Sequence, residues 1–316
     1  MLVAAGIAVL TFAGDKLVDF AAAIAEKARL TPTVVGLTVV AAGTSAPELF
    51  VSVVAALRES PEIALGNVVG SNIANIALVL GAAAAIAPIP IRRQMAAFEL
   101  PFMVAASLAL PVACLGGSLG RAWGWVFLAG MAVFLVQSVR MARSEGEEMQ
   151  AVAERVPVAV GRLQKRPLPL LLLGTVLTIA GLALGARLLV DGATGAALRL
   201  GVSERVVGLT IVAFGTSLPE FVATLAAALK RHHDMAVANI VGSNVFNLLL
   251  ILGATGVIHP IPVAAEMLGQ DIPVMIACAL ALVPLVWRGR PMTRAFGVTL
   301  MLGYAGYVAL LVGKSG

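Results

Sequence analysis

Residues 36–57 read GLTVVAAGTSAPELFVSVVAAL, and residues 208–229 read GLTIVAFGTSLPEFVATLAAAL. Further along, ALGNVVGSNIANIALVLG at 64–81 is matched by AVANIVGSNVFNLLLILG at 236–253. The two copies keep a constant register without gaps, which pairs Gly36 with Gly208 and still pairs Pro88 with Pro260. Shared hydrophobicity alone does not place the same polar residues at the same spacing twice. The chain therefore consists of two copies of one unit.

The composition indicates a membrane protein. Of the 316 residues, 60% are hydrophobic and only 12% are charged, and the mean hydropathy is +0.99. Soluble domains carry about 25% charged residues, so this chain is not adapted to face water. The net charge of +5 fits basic cytoplasmic loops better than nucleic-acid binding. Cys114 and Cys278 lie in apolar stretches without His or Cys at ligand spacing, and we interpret them as small core residues.

Ten apolar segments are long enough to cross a hydrocarbon core of about 30 Å. The segments lie near 1–25, 33–57, 62–85, 97–116, 121–141, 168–198, 204–229, 235–257, 271–287 and 294–313. We predict an all-α polytopic membrane protein in which residues 1–145 and 168–316 are five-helix halves joined by a linker at 146–167. Because five crossings are an odd number, the second half enters the membrane from the opposite side, which gives inverted-topology repeats. The first segment is expected to be a span and not a removed signal peptide.

The loop charges give an orientation. With the N-terminus outside, most bases fall in cytoplasmic loops, as the positive-inside rule requires. These bases are Lys27, Arg29, Arg92, Arg93, Arg140, Arg143, Arg155, Arg162, Lys165, Arg166, Lys230, Arg231, Arg288, Arg290 and Arg294. The opposite side has only scattered bases. We therefore predict a multi-pass protein of the cell membrane with the central loop in the cytoplasm.

The motifs GTSAPE at 43–48 and GTSLPE at 215–220 place Glu48 and Glu220 inside apolar spans. A charged residue at the centre of a membrane helix costs about 2.5–3.5 kcal/mol even on a lenient insertion scale. A bound cation would offset that cost, whereas the alternative is a protonated, structural glutamate. Pro47 lacks an N–H and its ring clashes with the carbonyl of Gly43, so the helix must kink or open there.

Further oxygen atoms follow the glutamates in both copies. The hydroxyls belong to Thr44, Ser45, Thr216 and Ser217. In GNVVGSNIAN, Asn67, Ser71 and Asn75 share one helical face, and the second copy repeats this set as Asn239, Ser243 and Asn247. Carboxylate, hydroxyl and carbonyl oxygens suit hard cations such as calcium or sodium, and not zinc or copper. The alternatives are back-bonding of the hydroxyls to their own helix and hydrogen bonding of the amides between helices.

The paired GTSxPE and GNxxGSNxxN motifs resemble the alpha-repeats of the calcium/cation antiporter superfamily, specifically its sodium/calcium exchanger branch of prokaryotic type. The second copy departs at Ala238, where the first has Gly66. The resemblance covers essentially the whole chain. It implies that the second, third, seventh and eighth helices surround the ions, and that the first and sixth slide as a pair. The ion ligands that it implies are Glu48, Glu220, Thr44, Ser45, Thr216, Ser217, Ser71, Asn75, Ser243 and Asn247, with backbone carbonyls of Ala41, Thr44, Ala213 and Thr216.

Some members of this superfamily carry an acid where this chain has Asn75 or Asn247. Two carboxylates neutralise one Ca²⁺ but leave a site with several sodium ions net positive. We therefore expect electrogenic exchange, at the three sodium ions per calcium that are usual in the family. Potassium cotransport is associated in the family with such an acid, so the two asparagines weaken the case for it. The partners implied are Ca²⁺, Na⁺ or H⁺, and the lipid bilayer. We expect no cofactor, no nucleic acid and no obligatory protein partner.

Other functions remain open on the sequence. A calcium/proton exchanger would keep the fold and protonate Glu48 and Glu220, although that branch usually lacks the Thr-Ser pair. A cation channel is disfavoured by inverted repeats with a central site. An enzyme has little support, because no His lies in a predicted span. We interpret Glu99 and Asp271 as helix N-terminal caps, and the charges on the first and sixth helices as ion pairs near helix ends.

Overall fold

Helices make up nearly all of the computed structural model, which describes residues 1–28, 30–58, 61–90, 95, 97–153, 163, 165–200 and 213–315. In the first half, α4 runs from Pro61–Ala74 through a π-helical turn, Asn75–Leu80, to Gly81–Ile86. In the second half, α10 runs from His233–Val245 through the π-helical turn Phe246–Ile251 to Leu252–Ile258. The other helices are α1 Leu2–Lys27, α2 Pro32–Thr44, α3 Ala46–Leu57, α5 Glu99–Ala113, α6 Arg121–Ala153, α7 Leu168–Arg199, α8 Ala213–Gly215, α9 Leu218–Leu229, α11 Met267–Trp287 and α12 Arg294–Ser315.

Local chemistry explains where several helices start and stop. Thr31 precedes Pro32 and accepts a hydrogen bond from the Val34 N–H, so α2 begins with a capped first turn. After α11 the chain reverses at Gly289, whose φ of 58° is a left-handed conformation that favours glycine. The predicted spans coincide with helices, except that residues 204–212 of the seventh span lie outside the described residues.

The helices α4 and α10 lie inside the protein, and the outer helices expose apolar side chains. Most of α4 and α10 is buried inside the protein, whereas the outer helices present large apolar side chains. Phe12, Phe50 and Leu302 are 67%, 71% and 68% exposed, as lipid-facing residues would be. Within the described residues, six helices are long and apolar enough to cross a membrane, or up to seven if the bent pair α2–α3 is one span. The helix α1, which carries several charges, is not among them.

The helices α1 and α7 pack with their backbones close together. A Cβ added to Gly6 would lie 2.7 Å from the Leu189 nitrogen, and one added to Gly185 would lie 3.0 Å from the Leu10 nitrogen. Small residues at such an interface let two membrane helices approach closely. The pair α1–α7 is therefore one packed unit.

Equivalent residues of the two copies make equivalent contacts. Strand β1, Ser118–Leu119, pairs antiparallel with β2, Ile261–Pro262, and the matching bridge joins Ile89 of the first copy to Met292 of the second. Gly81 of α4 packs on Gly297 of α12, just as Gly253 of α10 packs on Gly124 of α6. The repeat seen in the sequence thus extends to the packing.

The segment predicted to be a linker begins as a helix. The helix α6 continues as far as Ala153, well into the segment interpreted as a linker from 146 onward. Residues 145–153 read EGEEMQAVA, and Glu, Gln, Met and Ala are strong helix formers. Residues 154–162 and 164 of the predicted linker, and the bases Arg29, Arg92, Arg93, Arg155 and Arg162, lie outside the described residues.

Candidate cation site

The predicted break in the helix is confirmed. The helices α2 and α3 are bent by 45° at Ser45, whose φ and ψ are −82° and 4°. Ser217 between α8 and α9 has nearly the same angles, −87° and 3°. Pro47 and Pro219 each lie in the first turn after the break, where a missing N–H costs nothing. Each break places a glutamate at the start of a new helix inside the protein.

Both glutamates are buried. Glu48 and Glu220 are each 1% exposed. The Ser45 hydroxyl, from the first copy, donates a hydrogen bond of 2.9 Å to Oε1 of Glu220, from the second. This contact places the two broken helices next to one another, with both carboxyl groups in the interior.

A set of buried oxygen atoms around the glutamates lacks any hydrogen-bond donor. An isolated buried acceptor loses its hydration without compensation, at a cost of about 1–3 kcal/mol and more when it is charged. Within the described part of the chain, the unpartnered oxygens of this region are Glu48 Oε1 and Oε2, Glu220 Oε2, Asn75 Oδ1, Asn247 Oδ1 and Ser243 Oγ. All are carboxylate, amide or hydroxyl oxygens, and a hard cation would satisfy them.

Four asparagines hold two of these oxygens in place. Asn75 Nδ2 donates to Asn244 Oδ1, and Asn247 Nδ2 donates to Asn72 Oδ1, each over 3.0 Å. One amide hydrogen of Asn75 and one of Asn247 are thereby directed at the neighbouring asparagine, while their Oδ1 atoms have no partner among the described residues. The two π-helical turns begin at Asn75 and at Phe246, next to these residues, and π-turns are frequent at functional sites.

The hydroxyl group of Thr44 bonds to its own helix, whereas those of Ser71 and Ser217 bond to each other. Thr44 Oγ1 lies 3.1 Å from the Val40 carbonyl, 3.3 Å from that of Ala41 and 3.4 Å from Asn239 Oδ1, so it bonds back to its own helix. Ser71 and Ser217 lie 3.4 Å apart through their hydroxyls. Both arrangements leave lone pairs on the hydroxyl oxygens.

Asn67 and Asn239 connect helices. Asn67 Nδ2 donates to Ser52 Oγ over 3.1 Å, and Asn239 Nδ2 donates to the equivalent Thr224 Oγ1 over 2.9 Å. Both amides therefore make hydrogen bonds between helices.

The predicted backbone ligands Ala41 and Ala213 lie at the ends of the helix segments next to the two breaks. The carbonyl of Ala41 accepts the Ser45 N–H over 3.0 Å, so it takes part in the last turn before the break. Ala213 begins the three-residue helix α8.

Comparison with known proteins places this arrangement in a family. The family model described as sodium/calcium exchanger protein matches residues 1–140 and 170–313. The chain belongs to the sodium/calcium exchanger protein family. The members of this family are exchangers, which are membrane transporters.

Individual relatives agree with the family. The chain is 30% identical to the sodium/calcium exchanger MaX1 of Methanosarcina acetivorans, over 97% of this chain and 96% of that protein. It is 34% identical to the inner membrane protein YrbG of Escherichia coli, over 98% and 95% of the two chains. A solved structure of the sodium-calcium exchanger NCX_Mj, soaked with zero Na⁺ and Ca²⁺, superposes with a TM-score of 0.82 at 26% identity, covering 100% of this chain and 98% of that one.

Two cavities approach the site of this exchanger-family chain. One, of about 450 Å³, is lined by Ser71, Thr216 and Ser217 at its inner end and by Ile63 and Asp271 among its other residues. A second, of about 280 Å³, reaches Thr216 between α3 and α7. Thr216 is therefore the site residue that both cavities reach.

The cap interpretation of Asp271 is wrong. Its side chain makes no cap hydrogen bond to α11, because the preceding π-turn makes the helix continuous through this residue. Tyr307 of α12 instead donates its hydroxyl hydrogen to Asp271 Oδ1 over 2.8 Å. Glu99 lies buried in the first turn of α5, and that helix has no side-chain cap.

The sequence did not single out Asn72 and Asn244. Both belong to the GSN motif, and the amide pair in each GSNxxN segment was the available signal. The contacts of Asn72 with Asn247 and of Asn244 with Asn75 depend on how α4 crosses α10, which the sequence does not show.

Proposed function

We propose that this chain exchanges Ca²⁺ for Na⁺ across the cell membrane by alternating access, with Glu48 and Glu220 as the charged ligands. The observation that carries the proposal is the cluster of buried oxygens without hydrogen-bond donors, contributed by equivalent residues of the two copies. The family membership supports the general activity of cation antiport. Ca²⁺ and Na⁺ are the transported ions.

The ligand set fits the cargo in charge and in chemistry. Calcium binds six to eight oxygens at about 2.3–2.6 Å, and carboxylate, amide and hydroxyl oxygens are all present here. The proposed ligands are Glu48, Glu220, Thr44, Ser45, Ser71, Asn75, Thr216, Ser217, Ser243 and Asn247, with the Ala41 and Ala213 carbonyls. Two carboxylates neutralise one Ca²⁺, whereas more than two Na⁺ leave the site positive, so the exchange is electrogenic.

The two copies are symmetric in sequence but open to different extents. Ile63 and Ser71 line the larger cavity, and Ile63 is 55% exposed. Their equivalents Met235 and Ser243 are 1% and 0% exposed. Gly36 and Gly242 pack α2 against α10 on that sealed side, where a Cβ on Gly242 would lie 2.6 Å from the Leu37 oxygen. Exchanging the open and sealed arrangements between inverted repeats would give alternating access.

Ion pairs tie the α1–α7 unit to the sealed side. Lys230, at the end of α9, contacts Asp15 Oδ1 at 2.7 Å and Asp19 Oδ1 at 2.5 Å on α1. In constant register Lys230 corresponds to Arg58, and Asp19 corresponds to Asp191. Among the described residues, Arg58 makes no ion pair and Asp191 pairs with Arg187 of its own helix. We expect Arg58 and Asp191 to pair when the other side is sealed.

Replacing Lys230 by Met should therefore favour closure of the larger cavity. The variant removes the pairs between α1 and α9, so α1–α7 is freer to move toward the opposite state. Modification of a cysteine introduced at Ala74, which lines the cavity, should slow several-fold in a background without Cys114 and Cys278. Lys16→Met is the matched control, since Lys16 pairs only within α1 among the described residues. Equal rates in both variants would contradict the role of Lys230.

We propose that the chain crosses the membrane ten times with its N-terminus outside. This orientation places the central linker in the cytoplasm, in keeping with the loop charges. In that orientation the larger cavity, near the start of α4 and of α11, opens to the outside. Accessibility of a tag at each terminus in intact cells and in inverted vesicles tests this topology.

Counter-ion dependence tests the proposed function most simply. The purified protein is reconstituted in liposomes, and calcium uptake is driven by an outward sodium gradient while an ionophore clamps the protons. Uptake that requires internal sodium and responds to membrane voltage supports the proposal. Uptake that follows a pH gradient instead would identify a calcium/proton exchanger, and uptake without any counter-ion would identify a channel.

A further inference from the structure

We propose that Asn72 and Asn244 are positioning residues, which force Asn75 and Asn247 to present amide oxygens, and never amide nitrogens, to the cation site. This inference rests on the proposed function, because it concerns the same site. It adds residues that hold ligands in place to the ligands themselves, and it explains why two amides can serve a cation.

The orientation of all four amides follows from two main-chain carbonyls. Asn72 Nδ2 lies 3.3 Å from the carbonyl oxygen of Asn244, and Asn244 Nδ2 lies 3.4 Å from that of Asn72. A carbonyl oxygen can only accept a hydrogen bond, so each of these side chains must direct its nitrogen toward the opposite main chain. Their Oδ1 atoms are thereby turned to the other side.

The same donor and acceptor argument fixes the amide orientation of Asn75 and Asn247. The Oδ1 atoms of Asn72 and Asn244 also only accept, and they face Asn247 and Asn75 over 3.0 Å. Each of those residues must supply its Nδ2, which leaves its own Oδ1 without a partner among the described residues. Turning over any one of the four amides would oppose two acceptors or two donors.

Two methionines complete the arrangement symmetrically. Asn72 Nδ2 lies 3.8 Å from the sulfur of Met275, and Asn244 Nδ2 lies 3.8 Å from that of the equivalent Met103. Both methionines are fully buried or nearly so. The second amide hydrogen of each positioning residue thus faces a weak acceptor, so the nitrogen is occupied on both sides.

The network also favours amides over acids at the two ligand positions. An ionised Asp in place of Asn247 would oppose its carboxylate to Asn72 Oδ1, because both groups only accept. The site would then keep the extra carboxyl group protonated or lose the network. Asn72 and Asn244 therefore hold the site at the two charges of Glu48 and Glu220.

A double-mutant cycle on calcium binding tests this inference. Equilibrium binding of radiolabelled Ca²⁺ to the purified protein is compared for wild type, Asn72→Ala, Asn247→Ala and the double variant. Loss of a residue that orients a metal ligand typically lowers affinity by about 10–100-fold. We expect that loss for Asn72→Ala alone, and little further loss when it is added to Asn247→Ala, because Asn72 acts through Asn247.

Controls separate positioning from general stability. Asn67→Ala also removes an amide of α4, but a half-buried one that bonds to Ser52 Oγ and to the main-chain carbonyl of Glu48 and not to a carboxylate or amide oxygen of the site, so it should lower the melting temperature and not the calcium affinity. Should Asn72→Ala fail to fold, the equivalent cycle with Asn244→Ala and Asn75→Ala tests the same inference. An unchanged affinity in the single variants, or additive losses in both backgrounds, would overturn it. Absence of calcium binding by wild type would instead contradict the proposed function.

Discussion

Glu48→Gln and Glu220→Gln are each expected to lower sodium-dependent calcium exchange at least about 100-fold. Each variant keeps the shape of the side chain but leaves one negative charge where Ca²⁺ brings two positive ones. Removing one partner of a buried ion pair costs about 3–5 kcal/mol, and each 1.4 kcal/mol is a factor of ten in affinity. Initial rates of radiolabelled calcium exchange in proteoliposomes measure the effect.

The hydrogen bonding of the two carboxylates predicts which variant loses more calcium affinity. Within the described residues, neither carboxylate oxygen of Glu48 has a hydrogen-bond donor, whereas Glu220 accepts one from Ser45. We therefore expect Glu48→Gln to weaken calcium binding at least as much as Glu220→Gln does. Glu266→Gln, at an exposed position near the start of α11, is the matched control and should exchange normally. Normal exchange by either site variant would show that the carboxylates are not the ligands.

Gly242→Ala is expected to have the largest effect among glycine substitutions on the sealed side. The added Cβ would lie 2.6 Å from the main-chain oxygen of Leu37 and 2.8 Å from Ala41 Cβ. Neither the Leu37 backbone nor Ala41 can move aside as a flexible side chain would, so α2 and α10 must separate. Overpacking of this kind typically costs about 1–3 kcal/mol of folding stability. Denaturation of the protein in detergent micelles measures it.

Gly306→Ala provides the comparison for Gly242→Ala. Gly306 lies in α12, and no described heavy atom beyond its own neighbourhood comes within 4 Å of an added Cβ. Alanine is the better helix former by roughly 0.5–1 kcal/mol, so this variant should be neutral or slightly stabilising. If both variants melted at the wild-type temperature, the close packing of α2 on α10 would not be a feature of the folded protein.

The sequence predicts most of the helices because its local signals agree with one another. Pro47 and Pro219 predict the breaks at Ser45 and Ser217, since a proline ring affects the turn before it whatever surrounds it. The repeat predicts that equivalent residues make equivalent contacts. The apolar part of α6, Arg121–Met141, agrees with the predicted span at 121–141. The helix continues to Ala153 because residues 145–153 have high helix propensity, which a search for apolar spans does not detect.

The candidate site is predicted less completely. The glutamates follow from their cost in an apolar span, but the partner of each polar group depends on helix crossings. The amides of Asn67 and Asn75 lie on one helix face, yet Asn67 bonds to Ser52 while Asn75 bonds to Asn244. Asn72 and Tyr307 were missed for the same reason, since their partners are 172 and 36 residues away along the chain.

The position of a bound calcium ion in a crystal structure would show whether Glu48 and Glu220 are its ligands. Crystals of the protein soaked with Ca²⁺ would be measured for anomalous scattering, with a crystal held in Na⁺ alone as the reference. We expect a calcium peak with oxygens of both Glu48 and Glu220 at about 2.3–2.6 Å, close to the amide oxygens of Asn75 and Asn247. A calcium peak away from both glutamates would contradict it.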